Sequence, residues 1–587
     1  MVRKYMNRAN DKKKIMLESL LIFILMVFVF LISVNHINES NGIKVYGDEM
    51  GYWENAALLT GRDWSGEASL NIYYGYGYGF LLTPILLLCN KNSTDMMHAA
   101  IILQGIMLST CILASWLISK KVNSNVDWKC RIVITLFSVL YAPNIFYVKF
   151  TLSETLLTTC IWWISYLVLC YTENHKSIQG IGIIILSFYM FSVHQRMITM
   201  VLTGFMLVLF VSFFNSSKNK FKMLKILLFL FLLTAVCYYF CKSYDSFYTN
   251  SVYKLAVDGG KETNRVDVAA KKALSSLVSF YGCLTLLISF CGKIFYSFVA
   301  TYGFILVGGY SCLYFAMKYI KDKEQNYRAT WYMYIFLNYL ASIGVSSLAM
   351  RGGYELRSDF LLYGRYSEYT YGPILLVGLL YLYKFKRNES KKLFCGMIII
   401  LVLCLICIRN TFNDAPNSHF WVMCSAMGDI RAVPDISNKE VVLVTMLRCI
   451  CILGFLVIIE NIFNKFKRRF YNIVLVIVII SWIHTANVNW DKNVLPWYTP
   501  FENAMSDIVA NMEHEDEFIT LDVELAGCMQ FFLPNVAMKP CTDIKEVLNY
   551  EKGTYVITGV SSEYASYIRE HYTVDKENDR YMRWRYE

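Results

Sequence analysis

Apolar runs long enough to cross a bilayer recur along almost the whole chain, and nothing constrains its fold more. About 20 consecutive apolar residues span the hydrocarbon layer as a helix. On that measure the sequence predicts about thirteen membrane helices. They lie near 15–35, 98–118, 131–149, 152–171, 179–195, 197–214, 223–242, 294–318, 329–350, 368–384, 393–409, 441–460 and 470–487. Composition agrees. Hydrophobic residues make up 56% of the 587 and charged residues 17%, against about 25% charged in soluble domains. The expected fold class is a polytopic α-helical membrane protein.

Basic residues set the orientation. MVRKYMNRANDKKK, ahead of the first apolar run, carries six of them, and alternate loops are basic in turn: 120–131, 218–225, 318–328, 384–392 and 464–469. Residues 1–14 are therefore expected in the cytoplasm and the C-terminus outside. The net charge of +11 is mostly this topology signal, and its scatter over short loops gives no footing for nucleic acid. Two further apolar stretches, 77–89 and 277–291, fit better at the outer surface than as spans. The long loops then all fall outside: 36–97, 243–293, 351–367, 410–440 and the tail. A transporter has short loops on both faces and helices broken near mid-membrane. Outer bulk instead suggests chemistry at the outer face on something that arrives through the membrane.

The 18 cysteines sit mostly inside apolar runs, as Cys111, Cys160 and Cys404 do. They read as small core residues, and no metal-ligand spacing is present among cysteines or histidines. No metal and no cofactor are expected. The transmembrane domain is predicted over 15–487, and residues 488–587 form a small outer α/β domain. Strands are expected at 518–523 and 554–559, with helices at 524–533, 543–551 and 561–571. Cys528 and Cys541 are either a bridge or two thiols.

Behind the first helix stands GDEMGYWENAALLTGRDWSG, residues 47–66. The pair Asp48 and Glu49, then Tyr52, Ala56, Ala57, Gly61, Asp63 and Trp64, resembles the first outer loop of the GT-C glycosyltransferases, in the branch of the protein O-mannosyltransferases and the aminoarabinose transferase. Ser153-Glu154, His194-Gln195-Arg196 and Gly364-Arg365-Tyr366 resemble later motifs of that branch more loosely. The likeness covers roughly residues 15–385. One departure is that YYGYGYGFLLTP (73–84) stands where the branch commonly has a Pro-Pro pair.

The resemblance implies an inverting glycosyltransferase in the plasma membrane of a bacterium, with an extracytoplasmic site. It would move a sugar from a polyprenyl-phosphate donor to a lipid, glycan or protein acceptor. Asp48 and Glu49 would be catalytic, Asp48 as the general base. Arg196, Arg365 and His194 would bind the donor phosphate, and Tyr52, Glu154 and Tyr366 would contact sugar or acceptor or shape the site. Simpler roles compete at each position. Glu49 and Glu54 suit a helix N-terminus. Arg196 suits a hairpin tip, Arg365 a local ion-pair network with Arg351, Arg357, Asp359 and Glu368, and Tyr73, Tyr74, Tyr76 and Tyr78 an interfacial aromatic belt. A transporter or flippase, or a polymerase or ligase, of lipid-linked saccharide is the alternative reading.

Overall fold

The computed structural model describes residues 2–585 except 71–72, 74, 90–91, 217–219, 256–276, 321–325, 353–356, 384–386, 410–411, 413, 415–417, 463–466, 513–516, 523–525, 542 and 548–552. Tyr74 and parts of several basic loops therefore lie outside the described residues. Among the described residues nine helices are long and apolar enough to cross a membrane. Shorter apolar helices cover Gly79–Leu88, Ser177–Val193, Phe304–Ile320 and Cys395–Ile408. The chain is a helical, multi-pass membrane protein.

The first eleven helices are α1 (Val2–Ser33), α2 (Tyr46–Leu59), α3 (Ser65–Ala68), α4 (Gly79–Leu88), α5 (Ser93–Val122), α6 (Trp128–Val139), α7 (Ala142–Tyr147), α8 (Glu154–Asn174), α9 (Ser177–Val193), α10 (Ile198–Ser216) and α11 (Lys220–Val252). The acidic loop is thus helical, with Asp48 and Glu49 in the first turn of α2, where negative charge is favoured by the helix dipole.

Two expected spans are interrupted. The run 131–149 breaks between α6 and α7 because Pro143 has no N–H to donate to Val139 O, and Asn144 Nδ2 donates to that carbonyl instead at 3.0 Å. The break turns residues 148–153 toward α2. The stretch 277–291 is not separate from 294–318. It opens a helix over Phe280–Ala300, which stops where Tyr302 (φ 51) and Gly303 (φ 80) take left-handed backbone before Phe304–Ile320 begins.

The tail does not start on a flexible joint. The helix Lys467–Asn489 passes through a π-turn, Trp490–Val494, straight into Leu495–Ile508. Beyond it lies a five-stranded sheet: β1 (Phe518–Thr520), β2 (Met538–Pro540), β3 (Tyr555–Gly559), β4 (Val574–Glu577) and β5 (Tyr581–Arg585), in the order β2-β1-β3-β5-β4. β1 runs parallel to β2 and β3, and β5 antiparallel to β3 and β4. Cys528 and Cys541 are free thiols.

The tail sits on the loop behind the first helix. Trp64 Nε1 donates to Pro534 O at 3.1 Å, Arg62 Nε to Asn535 Oδ1 at 2.8 Å, and the Trp53 and Phe531 rings meet edge-on at 5.5 Å. Lys44 and Glu502, both buried, pair at 2.5 Å.

Candidate active site

Four helix ends converge on one cluster of charge. Asp48 comes from the first turn of α2 and Glu154 from the first residue of α8. Arg196 lies in the 3-10 turn between α9 and α10, and Arg365 in the 3-10 turn Gly364–Tyr366. Arg365 Nη1 donates to Asp48 Oδ2 at 2.5 Å and Arg365 Nε to Glu154 Oε1 at 2.8 Å, while Arg196 Nη2 donates to the same Glu154 oxygen at 3.0 Å. Two carboxylates and two guanidinium groups thus meet, with formal charges that cancel. Glu154, Arg196 and Arg365 are buried, whereas the Asp48 side chain keeps 22% of its surface. Asp48 is the group in this set that a reactant can reach.

Arg196 is unusual in one respect. Its guanidinium stands over the Tyr366 ring at 4.3 Å and the Tyr369 ring at 5.4 Å, yet Nε and Nη1 are buried with no hydrogen-bond partner among the described residues. Glu154 Oε2 is in the same condition. Buried polar atoms in folded proteins nearly always have partners, and an exception calls for a reason. Unmet N–H groups on a buried guanidinium call for acceptors, and the oxygens of an oxyanion are such acceptors.

His194 and Tyr366 pack against Arg196 from behind. His194 Nδ1 accepts from the Arg196 backbone N–H at 3.2 Å, and its ring meets Tyr366 edge-on at 5.7 Å. Burial holds the imidazole well below its ordinary value, with the Arg196 and Arg365 charges adding to the effect. The neutral ring is the form able to accept that bond. Tyr52 donates to Ser153 Oγ at 2.8 Å, beside Glu154.

Glu49 is placed differently from its neighbour. Its Oε1 accepts from the backbone N–H groups of Lys44 (2.7 Å) and Val45 (2.9 Å), and its Oε2 from Thr151 N (2.6 Å) and Thr151 Oγ1 (2.7 Å). Oε1 holds the segment that leads into α2, and Oε2 clasps α2 to the segment behind α7. Glu54 likewise accepts from Tyr248 and Tyr253 inside the protein. The network suggested around Arg365 divides. Arg357 pairs with Asp359 at 2.7 Å, and Glu368 accepts from Tyr147 and Tyr296. The tyrosine ladder is interior: Tyr73, Tyr76 and Tyr78 are all buried.

Tyr363 and Tyr369 were not singled out by the sequence. Tyr363 packs on Tyr366 at 4.8 Å. The tyrosine density of YGRYSEYTY was the available signal. Among the described residues one set could offer three ligands to a metal ion, His36, Glu39 and Asp491. These residues are partly exposed and already joined as ion pairs, at 2.9 and 3.5 Å from His36 Nδ1.

No family model matches the chain, and no curated protein does. Solved structures do. ArnT from Cupriavidus metallidurans bound to undecaprenyl phosphate aligns with a TM-score of 0.52 at 10% identity, covering 97% of this chain and 98% of that one. Its apo state aligns at 0.51 and 11%, with the same coverage. The archaeal oligosaccharyltransferase AglB from Archaeoglobus fulgidus aligns at 0.42 and 11%, over 94% of this chain and 71% of its own. Over nearly its whole length, the chain has the fold of ArnT, an aminoarabinose transferase from the branch that the loop behind its first helix resembles.

Proposed function

We propose that this protein is an inverting glycosyltransferase. It moves a sugar from a polyprenyl-phosphate donor to a hydroxyl or amine acceptor at the outer face of the membrane. The observation that carries the reading is Arg196, buried beside Arg365 with two N–H groups lacking acceptors. A donor phosphate supplies those acceptors, and a preorganised cation is worth most where charge develops on a leaving group.

The acceptor oxygen or nitrogen attacks the anomeric carbon, and the bond from that carbon to the phosphate oxygen breaks. The electron pair leaves with the lipid phosphate, which Arg196 and Arg365 hold. The acceptor proton passes to Asp48. A single displacement of this kind inverts the anomeric centre. Donor phosphate and Asp48 compete for the same Arg365 donor, so binding the donor releases Asp48 to act as base.

A mostly apolar cavity of about 860 Å³ runs along α10 and the helix Asn326–Ala349, lined by Leu202, Met206, Phe210, Met333 and Leu337. It lies apart from the carboxylates, but α10 starts directly after the Arg196 turn. Leu202 is the cavity's lining residue nearest that arginine in sequence, and Thr172 and His175, at the end of α8 opposite Glu154, line its other part.

The test uses purified protein in lipid nanodiscs with a synthetic polyprenyl-phosphate sugar. Transfer to an acceptor with inversion is expected, and cells without the protein should accumulate the lipid-linked sugar. No accumulation in cells and no binding of polyprenyl phosphate by the protein would end this reading.

A further inference from the structure

The Tyr-Gly repeat at 73–79 is the departure from the family pattern, and its residues form a wedge between the two halves of the site. On one side of it is α2, which carries Asp48 and Tyr52. On the other is the end of α9, which leads through Ser192 and Val193 into His194 and Arg196.

The glycines make the wedge thin. A Cβ on Gly75 (φ 152) would stand 2.4 Å from Val193 O and 2.7 Å from Ser192 O. A Cβ on Gly77 would stand 2.4 Å from Ser192 Oγ and 2.8 Å from Val193 N, and the Gly77 amide donates to Ser192 O at 2.8 Å. Toward α2, a Cβ on Gly79 would lie 2.6 Å from Asn55 Cβ. Contacts this short leave no room for any side chain, so the backbone itself is the spacer.

The tyrosines fix the wedge in place. Tyr76 accepts from Asn55 Nδ2 through its carbonyl at 2.9 Å and donates from its hydroxyl to Cys241 O at 3.1 Å. Tyr78 meets Tyr52 edge-on at 5.6 Å, and Tyr52 in turn bonds Ser153 next to Glu154. Tyr73 donates to Asp245 of α11. Tyr73, Tyr76 and Tyr78 are each anchored on a different neighbour, which fixes the register of the strip.

We propose that this repeat sets the distance between the Asp48 helix and the Arg196 turn, and that Gly75 and Gly77 are positioning residues for donor phosphate. The proposal rests on the glycosyltransferase reading for what is positioned, but not for the wedge itself. Thickening the strip by one methyl at Gly77 pushes the 192–193 backbone away from α2 and carries Arg196 out of line with Arg365. Misplacements near 1 Å cost up to about 100-fold in well-oriented sites. The Ser192 hydroxyl is the nearest obstacle, and removing it makes partial room.

The experiment compares wild type with Gly77→Ala, Ser192→Ala, the double variant, and Gly344→Ala as a control whose added methyl meets nothing within 4 Å. Gel filtration selects monodisperse protein. Hydrogen exchange of the peptide 192–197 reports the wedge without any substrate. It should rise in Gly77→Ala, fall back in the double variant, and stay at the wild-type level in Gly344→Ala. Binding of polyprenyl monophosphate should weaken about tenfold in Gly77→Ala, with the donor KM rising to match. Its kcat at saturating donor should fall as well, by up to about 100-fold, because Arg196 also holds the leaving phosphate. Unchanged exchange at 192–197 in Gly77→Ala overturns the wedge, whatever the lipid binding. Raised exchange with unchanged lipid affinity overturns the positioning role. Wild-type protein that shows the exchange pattern but binds no polyprenyl phosphate overturns the functional reading and leaves the wedge standing.

Discussion

Arg365 touches Asp48 at 2.5 Å, so the proposed base and a proposed phosphate ligand are in contact before any donor arrives. Asp48→Asn keeps the shape, removes the basicity and loosens the hold on Arg365. Turnover should fall by about 10²–10⁴-fold, while binding of polyprenyl phosphate is kept or strengthened. Turnover within a few-fold of wild type would show that Asp48 is not the base.

Arg196→Ala and Arg365→Ala should each weaken donor binding by about 1.5–3 kcal/mol, the range for charge-assisted hydrogen bonds. Lysine at either position should restore only part of it, since an ammonium cannot form the bidentate contact. The two differ in stability. Arg365 bridges Asp48 and Glu154, so its loss leaves buried Glu154 with Arg196 alone. Arg365→Ala should therefore lower the melting temperature more than Arg196→Ala does. Wild-type donor affinity in both alanine variants would remove the pair from the site.

Glu49 should behave as a clasp. Glu49→Gln replaces one accepting oxygen with an NH₂ group and leaves at least one buried N–H of Lys44, Val45 or Thr151 unsatisfied, which costs about 1–3 kcal/mol of stability. Turnover per folded molecule should stay within a few-fold. A large fall in kcat with unchanged stability would instead make Glu49 catalytic.

His194 gives a pH signature. Its imidazole is held below the ordinary value in the folded protein, while the unfolded chain takes up a proton near pH 6.5. The unfolded state then binds more protons below that pH, so stability is full above about pH 6.5 and declines as the solution is acidified. His194→Asn keeps an acceptor for the Arg196 amide and should flatten the slope of melting temperature against pH between about 7.5 and 5.5. Parallel slopes would show that His194 titrates alike in both states.

Orientation is checked with reporters active only in the cytoplasm. Fusion within 384–392 should give signal, and fusion after Glu587 should not. The reverse pattern would place the site on the inner face.

Much of the site was legible because its members are charged residues at helix ends, where few other reasons place them. Asp48, Glu154, Arg196 and Arg365 each stood out in a short quotable motif. What joins them did not. The Glu49 clasp depends on Thr151, 102 residues away, and no local pattern predicts that pairing. The breaks at Pro143 and Gly303 were overlooked because an apolar run reads as continuous whatever its backbone does. β5 carries two arginines in YMRWR and β4 three charged residues in VDKE, so both read as polar surface. Their partners, β3 for one and each other, make them strands.

The contacts between tail and first loop also bear on synthesis. Lys44 pairs with a residue 458 positions later, Trp64 bonds one 470 later and Arg62 one 473 later. Chains are made from the N-terminus at a few residues per second, and contacts so distant in sequence form late. The loop bearing Asp48 is among the first parts to leave the ribosome and among the last to mature. A chain that stops short of Glu502 would hold a lysine ammonium in the interior without its carboxylate, so an unfinished copy would be unable to complete the loop on which its chemistry depends.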